Sequence, residues 1–178
     1  LKRTLVVGFG NLYRRDDGVG PAVVNALRAR QGRPPIDPED DGFDDLGQPL
    51  DSVILHQLVP ELAETAAGYD LIVFVDAHVG SWPEALHIEH LEACYKAPLV
   101  SHHIHPCTIL QLAQTLTGAA RPAGVVLSIR GYDFDFGEGL SAETAAGVPQ
   151  AVAHILEWAE AKASRDNAQH GFDQCAAP

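Results

Sequence analysis

Apolar and polar positions along the chain switch repeatedly between strand and helix periods. Residues 3–8 (RTLVVG) are a short apolar run, rich in β-branched side chains and ending in glycine, which predicts a buried strand. Residues 18–30 (GVGPAVVNALRAR) place Val19, Val23, Ala26 and Leu27 at helical spacing. Pro21 falls in the first turn, where its missing N–H costs nothing, and the closing basic residues suit the negative pole of the helix dipole. Residues 51–56 (DSVILH) predict a second strand, and residues 59–68 a short helix with Leu62, Ala63, Ala66 and Ala67 on one face. The uninterrupted run at residues 71–75 (LIVFV) suits a strand buried on both faces of a parallel sheet. Residues 85–91 (ALHIEHL) alternate, with Leu86, Ile88 and His90 on one side and His87 and Glu89 on the other, as an edge strand does. Ile109, Leu112, Ala113 and Leu116 give residues 106–118 a helical face, and residues 124–129 (GVVLSI) predict a fifth strand. Ser141, opening S-A-E-T, is expected to cap one long helix that ends near residue 163.

Two stretches break the pattern. Residues 31–49 contain PP, DPEDD and GFDDLGQP and predict an exposed acidic loop. Residues 164–178 are small and polar and predict a disordered tail after a single domain spanning residues 1–163. The alternation of strands and helices predicts an α/β class: three layers, α/β/α, around a mostly parallel five-stranded sheet. In open sheets of this kind ligands bind beyond the carboxyl ends of the strands.

Three polar clusters fall at such ends. Residues 8–18 (GFGNLYRRDDG) follow the first strand, Asp76-Ala77-His78 follows the third, and Ser101-His102-His103-Ile104-His105 precedes a helix. Carboxylates and imidazoles converging from separate loops suit a borderline divalent metal or general acid–base chemistry. Each cluster alone has a plainer reading: Asp16 and Asp17 as helix-start residues, Asp76 as a strand-end turn, the histidines as a solvated loop. Their joint occurrence at one sheet edge favours a site. Gly8-Phe9-Gly10-Asn11 is not a dinucleotide fingerprint, because the third glycine is absent and position 13 is Tyr. No P-loop and no GxSxG elbow occurs, so a Ser-His-Asp nucleophile has no anchor.

Composition narrows the partners. The 178 residues are 46% hydrophobic and 20% charged, enough for one sizeable core without staples. Asp and Glu number 24 against 12 Lys and Arg, a net charge of −12 that repels phosphate backbones and anionic lipid. Cys94, Cys107 and Cys175 are odd in number and lack CxxC spacing, which predicts free thiols and excludes a thiolate metal site. No apolar run approaches the roughly 20 residues that span a bilayer, and no basic-then-apolar opening marks a secretory signal. A cytoplasmic protein without membrane insertion is expected, and, with no exposed apolar helix face, a monomer.

VVGFGNLYRRDDGVG (residues 6–20) resembles the opening of the [NiFe]-hydrogenase maturation endopeptidases: G-x-G-N, a few residues, an acidic pair, then G-x-G. LIVFVDA (residues 71–77) resembles that family's apolar strand ending in Asp-Ala, SHHIHPCTILQLA (residues 101–113) its Ser/Thr-His segment leading into a leucine-rich helix, and YDFDFGEGLS (residues 132–141) its late F-x-x-G-x-G-L-S turn. The likeness covers roughly residues 3–160. It implies a phosphorylase/hydrolase-like fold and an aspartic-type endopeptidase that removes the C-terminal extension of a hydrogenase large-subunit precursor after nickel insertion. It also implies that nickel, supplied by the precursor, is contacted by Asp17, Asp76 and His102, the residues expected to carry both recognition and catalysis. His102 gives the better spacing to Pro106 and Leu110, and His103 is the alternative. The chain departs from the family at the acidic loop and at HQLVPEL (residues 56–62), where other members have a glycine-rich turn, a difference that bears on which large subunit is accepted.

Two other readings compete. A peptidyl-tRNA hydrolase-like esterase also opens with G-x-G-N after a first strand, but needs a basic groove and a His-Asn pair where this chain has Asp16-Asp17 and a charge of −12. A non-catalytic assembly factor would bind nickel or the precursor and release no peptide.

Overall fold

The computed structural model describes residues 3–91, 104–118 and 120–173, with side chains through residue 161. The described residues include five strands, β1 (Thr4–Phe9), β2 (Leu50–Leu55), β3 (Leu71–His78), β4 (Leu86–Leu91) and β5 (Ala123–Arg130), in one sheet ordered β2-β1-β3-β5-β4. β1 pairs in parallel with β2 and β3, β3 pairs in parallel with β5, and β4 runs antiparallel along β5 at the edge. The alternating segment at 85–91 is therefore the edge strand its pattern predicts.

Helices cover both faces. α1 (Val19–Arg30) and α5 (Val148–Asp173) pack Val19, Val23, Leu27, Ala151, Val152 and Ile155 against Val73 and Val75 of β3 and Val125, Leu127 and Ile129 of β5. α2 (Leu62–Ala66) and α3 (Pro106–Thr117) pack Leu62, Ala66, Ile109, Leu110 and Ala113 against Leu5, Val7, Ile72 and Phe74 on the opposite face. The run LIVFV thus alternates into two cores, which is why it shows no polar face. Burying such side chains contributes about 1.5–3 kcal/mol each.

Four expectations change. The helix opening at Ser141 is two helices, α4 (Ala142–Ala145) and α5, because Pro149 lacks the N–H that would continue the first ladder. Ser141 does cap α4, its side chain accepting from the Thr144 N–H at 3.3 Å. α5 continues beyond residue 163, where the domain was expected to end. β3 extends through Asp76 to His78, since β5 pairs with it as far as Arg130. Cys107, the only cysteine among the described residues, is disulfide-bonded rather than free; a disulfide needs proximity in space and no sequence spacing.

The acidic loop is largely exposed, as expected, yet it is pinned. Arg28 and Arg33 both reach the Asp45 carboxylate at 2.7 Å, and Ile36 enters the core beside α1.

Candidate functional site

The loop after β1 is shaped by close backbone approach. Gly10 adopts φ +139°, and a Cβ there would overlap the Asp17 carbonyl oxygen. A Cβ on Gly20 would lie 2.6 Å from the Phe9 N and O atoms and from the Val75 carbonyl oxygen. The G-x-G-N and D-D-G-x-G spacing therefore records the start of α1 seated on the carboxyl ends of β1 and β3. Asn11 holds the turn from both sides: its Oδ1 accepts from the Tyr13 N–H at 2.9 Å, and its own N–H donates to Asp17 Oδ2 at 2.8 Å.

The two adjacent acids have different fates. Asp16, in the 3-10 turn Arg15–Gly18, is fully buried. Its Oδ2 accepts from the Tyr132 and Asp133 N–H groups at 2.8 and 2.9 Å, from Ser141 Oγ at 2.7 Å and from Thr144 Oγ1 at 2.8 Å. Its Oδ1 accepts from the Ser141 N–H at 2.6 Å. Burial pushes this carboxyl up, but the hydrogen bonds outweigh burial and hold its pKa at about 2. Asp16 is thus a structural brace to the segment after β5, rather than a simple helix-start residue. Arg14 and Arg15 continue the brace: Arg14 Nε and Nη2 donate to the Phe134 carbonyl at 3.1 and 3.0 Å, and Arg15 pairs with Asp133 at 3.3 Å.

Asp17 turns the other way. It lines a cleft of about 910 Å³ at the carboxyl edge of the sheet, on the α2–α3 face, and Asp76 of β3 lines the same cleft. Asp76 Oδ1 accepts from the Ala77 N–H at 2.7 Å. Burial raises its pKa to about 7; the Ala77 hydrogen bond opposes the shift, and the negative charge of Asp17 adds to it. The cleft opens beside the boundary between β1 and β3, where the strand order reverses, the place ligands take in such sheets. A smaller hollow of about 450 Å³ near Gln31 and Leu50 lies at the opposite, amino ends of the strands.

His102 and His103 lie outside the described residues, so the structure brings together two of the three predicted ligands. Among the described residues, no group of three His, Cys, Asp or Glu side chains is arranged to hold a metal ion. His105 lines the cleft from the N-cap of α3, where its Nδ1 accepts from the Cys107 N–H at 3.3 Å. His56, Glu89 and Ser128 also line it and were not singled out from the sequence. For His105 the signal was available, an imidazole immediately before a helix-opening proline. For His56, Glu89 and Ser128 it was not, because their place depends on strand register.

His78, two residues along β3 from Asp76, is buried. Its Nδ1 accepts from the Gly80 N–H at 3.2 Å, which leaves the proton of the neutral ring on Nε2. Burial first, then the charges of Arg130 and His87, lower its pKa. Trp82 meets His78 edge-on at 5.1 Å and stacks on His87 at 4.1 Å, forming one wall of the cleft.

No family model and no curated protein matches the sequence. Solved structures do match. The chain has the three-layer α/β fold of hydrogenase maturation proteases. It resembles the hydrogenase maturating endopeptidase HybD from E. coli at a TM-score of 0.62 and 20% identity, over 90% of this chain and 93% of that one. The [NiFe] hydrogenase maturation protease HycI from Thermococcus kodakarensis gives 0.60 and 18%, over 89% and 93%. The hydrogenase 2 maturation peptidase from a Thaumarchaeota archaeon gives 0.55 and 22%, over 88% and 97%. At these identities the likeness is one of fold. No helix among the described residues is long and apolar enough to cross a membrane.

Proposed function

We propose that the chain is an endopeptidase that removes the C-terminal extension of a [NiFe]-hydrogenase large-subunit precursor after nickel insertion. The observation that carries this reading is the meeting of Asp17, from the turn that opens α1, and Asp76, from the carboxyl end of β3, in one cleft of a fold that hydrogenase maturation proteases share. Nickel arrives with the precursor, and Asp17, Asp76 and His102, with His103 as the alternative, contact it. Carboxylate and imidazole suit such an ion, and a nickel-free precursor gives them nothing to hold. Asp76, whose pKa burial raises to about 7 before any ion binds, gives up its proton on contacting nickel. Held by these residues, the ion would assist hydrolysis by polarising the scissile carbonyl or activating water. The reading places the reaction in the cytoplasm.

Mass spectrometry of nickel-loaded precursor before and after incubation tests the proposal. Wild type is expected to release the extension, and Asp17→Asn, Asp76→Asn and His102→Ala are each expected to leave the precursor whole. Normal processing by all three variants overturns the assignment. Binding of the precursor by wild type with no peptide released overturns the peptidase reading in favour of a non-catalytic assembly factor.

A further inference from the structure

We infer that Arg130 is a carboxylate-binding anchor for the substrate polypeptide at the rim of the cleft; the inference deepens the peptidase reading and rests on it for what the carboxylate belongs to. Arg130 closes β5 and sits in register with His78. Ser128, two residues earlier, lines the cleft, so strand alternation carries Arg130 to the same face one step further out.

The guanidinium is held in place. It lies over the Tyr132 ring at 5.2 Å from the centroid, and it packs on Gly80, where a Cβ would come within 3.4 Å of its Nη2. Yet among the described residues it has no acceptor. Every other buried or half-buried arginine among the described residues has one: Arg3 on Asp51, Arg15 on Asp133, Arg28 and Arg33 on Asp45, and Arg121 on the Leu91 carbonyl. A chain with 24 acidic residues against 12 basic ones does not lack acids to pair with it. A half-buried, positioned guanidinium left unneutralised beside a cleft is set to take a carboxylate from outside, which its planar fork can grip with two parallel hydrogen bonds. Tyr132 and Val79, 51% and 76% exposed, offer apolar surface beside it for the residues that flank such a carboxylate. The carboxylate is either an acidic side chain of the substrate or its chain terminus.

Four fluorescein-labelled peptides of about a dozen residues separate these sources: one carrying Glu and its Gln counterpart, each with a free or an amidated C terminus. Fluorescence anisotropy with the full chain at low salt is expected to show about tenfold tighter binding of the carboxylate-bearing peptide over its neutral counterpart. A preference that follows Glu against Gln assigns a side chain, and one that follows free acid against amide assigns the terminus. Arg130→Gln is expected to abolish the preference and Arg130→Lys to keep part of it, since a lysine retains the charge without the fork. Equal binding of all four peptides by wild type, or an unchanged preference in Arg130→Gln, overturns the anchor. If the preference depends on Arg130 but wild type leaves nickel-loaded precursor whole, the peptidase reading falls and the anchor stands. If the precursor is processed and no carboxylate preference exists, the anchor alone falls.

Discussion

Asp16 and Asp17 are neighbours in sequence, and the cleft pairs Asp17 with Asp76, so three carboxylates illustrate how environment decides role. Asp16 is ionised and saturated with donors, and its pKa of about 2 lies below the value of 3.8 expected in the unfolded chain. Its contribution to stability is therefore fully present above about pH 4 and is lost as pH falls toward 2, amounting to about 2 kcal/mol. Asp16→Asn keeps the shape but removes the charge and places an N–H₂ among five donors, so urea unfolding at pH 7 should show a loss of roughly 2–4 kcal/mol. Asp76 has the opposite sign. Its folded pKa of about 7 exceeds the unfolded value, so stability from this group is present at low pH and is lost as pH rises toward 7. Asp76→Asn should therefore be more stable than wild type above pH 7, by roughly 1–4 kcal/mol, with the gain shrinking as pH falls toward 4. Equal unfolding midpoints for the two proteins at pH 8 would show that the cleft does not desolvate this carboxylate. A residue that weakens the fold at neutral pH and sits in a cleft is the pattern of a site retained for function.

Between the residue and the molecule lie the two segments that build the site, the loop after β1 and the stretch from Gly131 to Ser141. Arg14 bridges to Gly137, the Arg15 N–H donates to the Gly137 carbonyl at 3.0 Å, and Asp16 gathers the donors of Tyr132, Asp133 and Ser141. The second segment thus fixes the loop from which Asp17 reaches the cleft. Gly20 fixes it from below, and Gly20→Ala must push Cβ against backbone of both β1 and β3. We expect this change to cost about 1–3 kcal/mol in thermal unfolding and to lower precursor processing beyond what the stability loss explains, since it moves Asp17. An unchanged melting temperature would mean that α1 shifts without strain. Much of this was legible in the chain: the strand periods, the glycine spacing and the acids after β1 and in β3 all point to the candidate cleft. The pairing of Asp16 with Ser141, 125 residues apart, was not, because no local pattern records a contact across the sheet. The outward end of β3 was hidden for another reason: Asp76 and His78 break the apolar run, while the pairing partner that keeps them in the strand lies in β5. The break between α4 and α5 was in plain sight at Pro149, and the apolar spacing on either side concealed it.

At the scale of the whole molecule the charge and the topology act together. A net charge of −12 surrounds the chain with a field that draws cations, and the reversal of strand order between β1 and β3 opens a crevice into which that field can be focused. On the proposed reading Asp76 would have to lose its proton to become a ligand, so metal binding there would compete with protons. Titration of the full chain with Ni²⁺ by calorimetry should therefore give weaker binding as pH is lowered from about 8 to about 6, across the Asp76 pKa of about 7. Imidazole protonation contributes to any such fall, so the discriminating quantity is the difference between proteins. Asp76→Asn should bind more weakly at the higher pH and lose less on acidification, because the carboxylate that exchanges a proton for the ion is gone. Equal pH dependence in wild type and Asp76→Asn would remove Asp76 from the ligand set, and would leave its raised pKa as a feature of the cleft without a role in holding the ion.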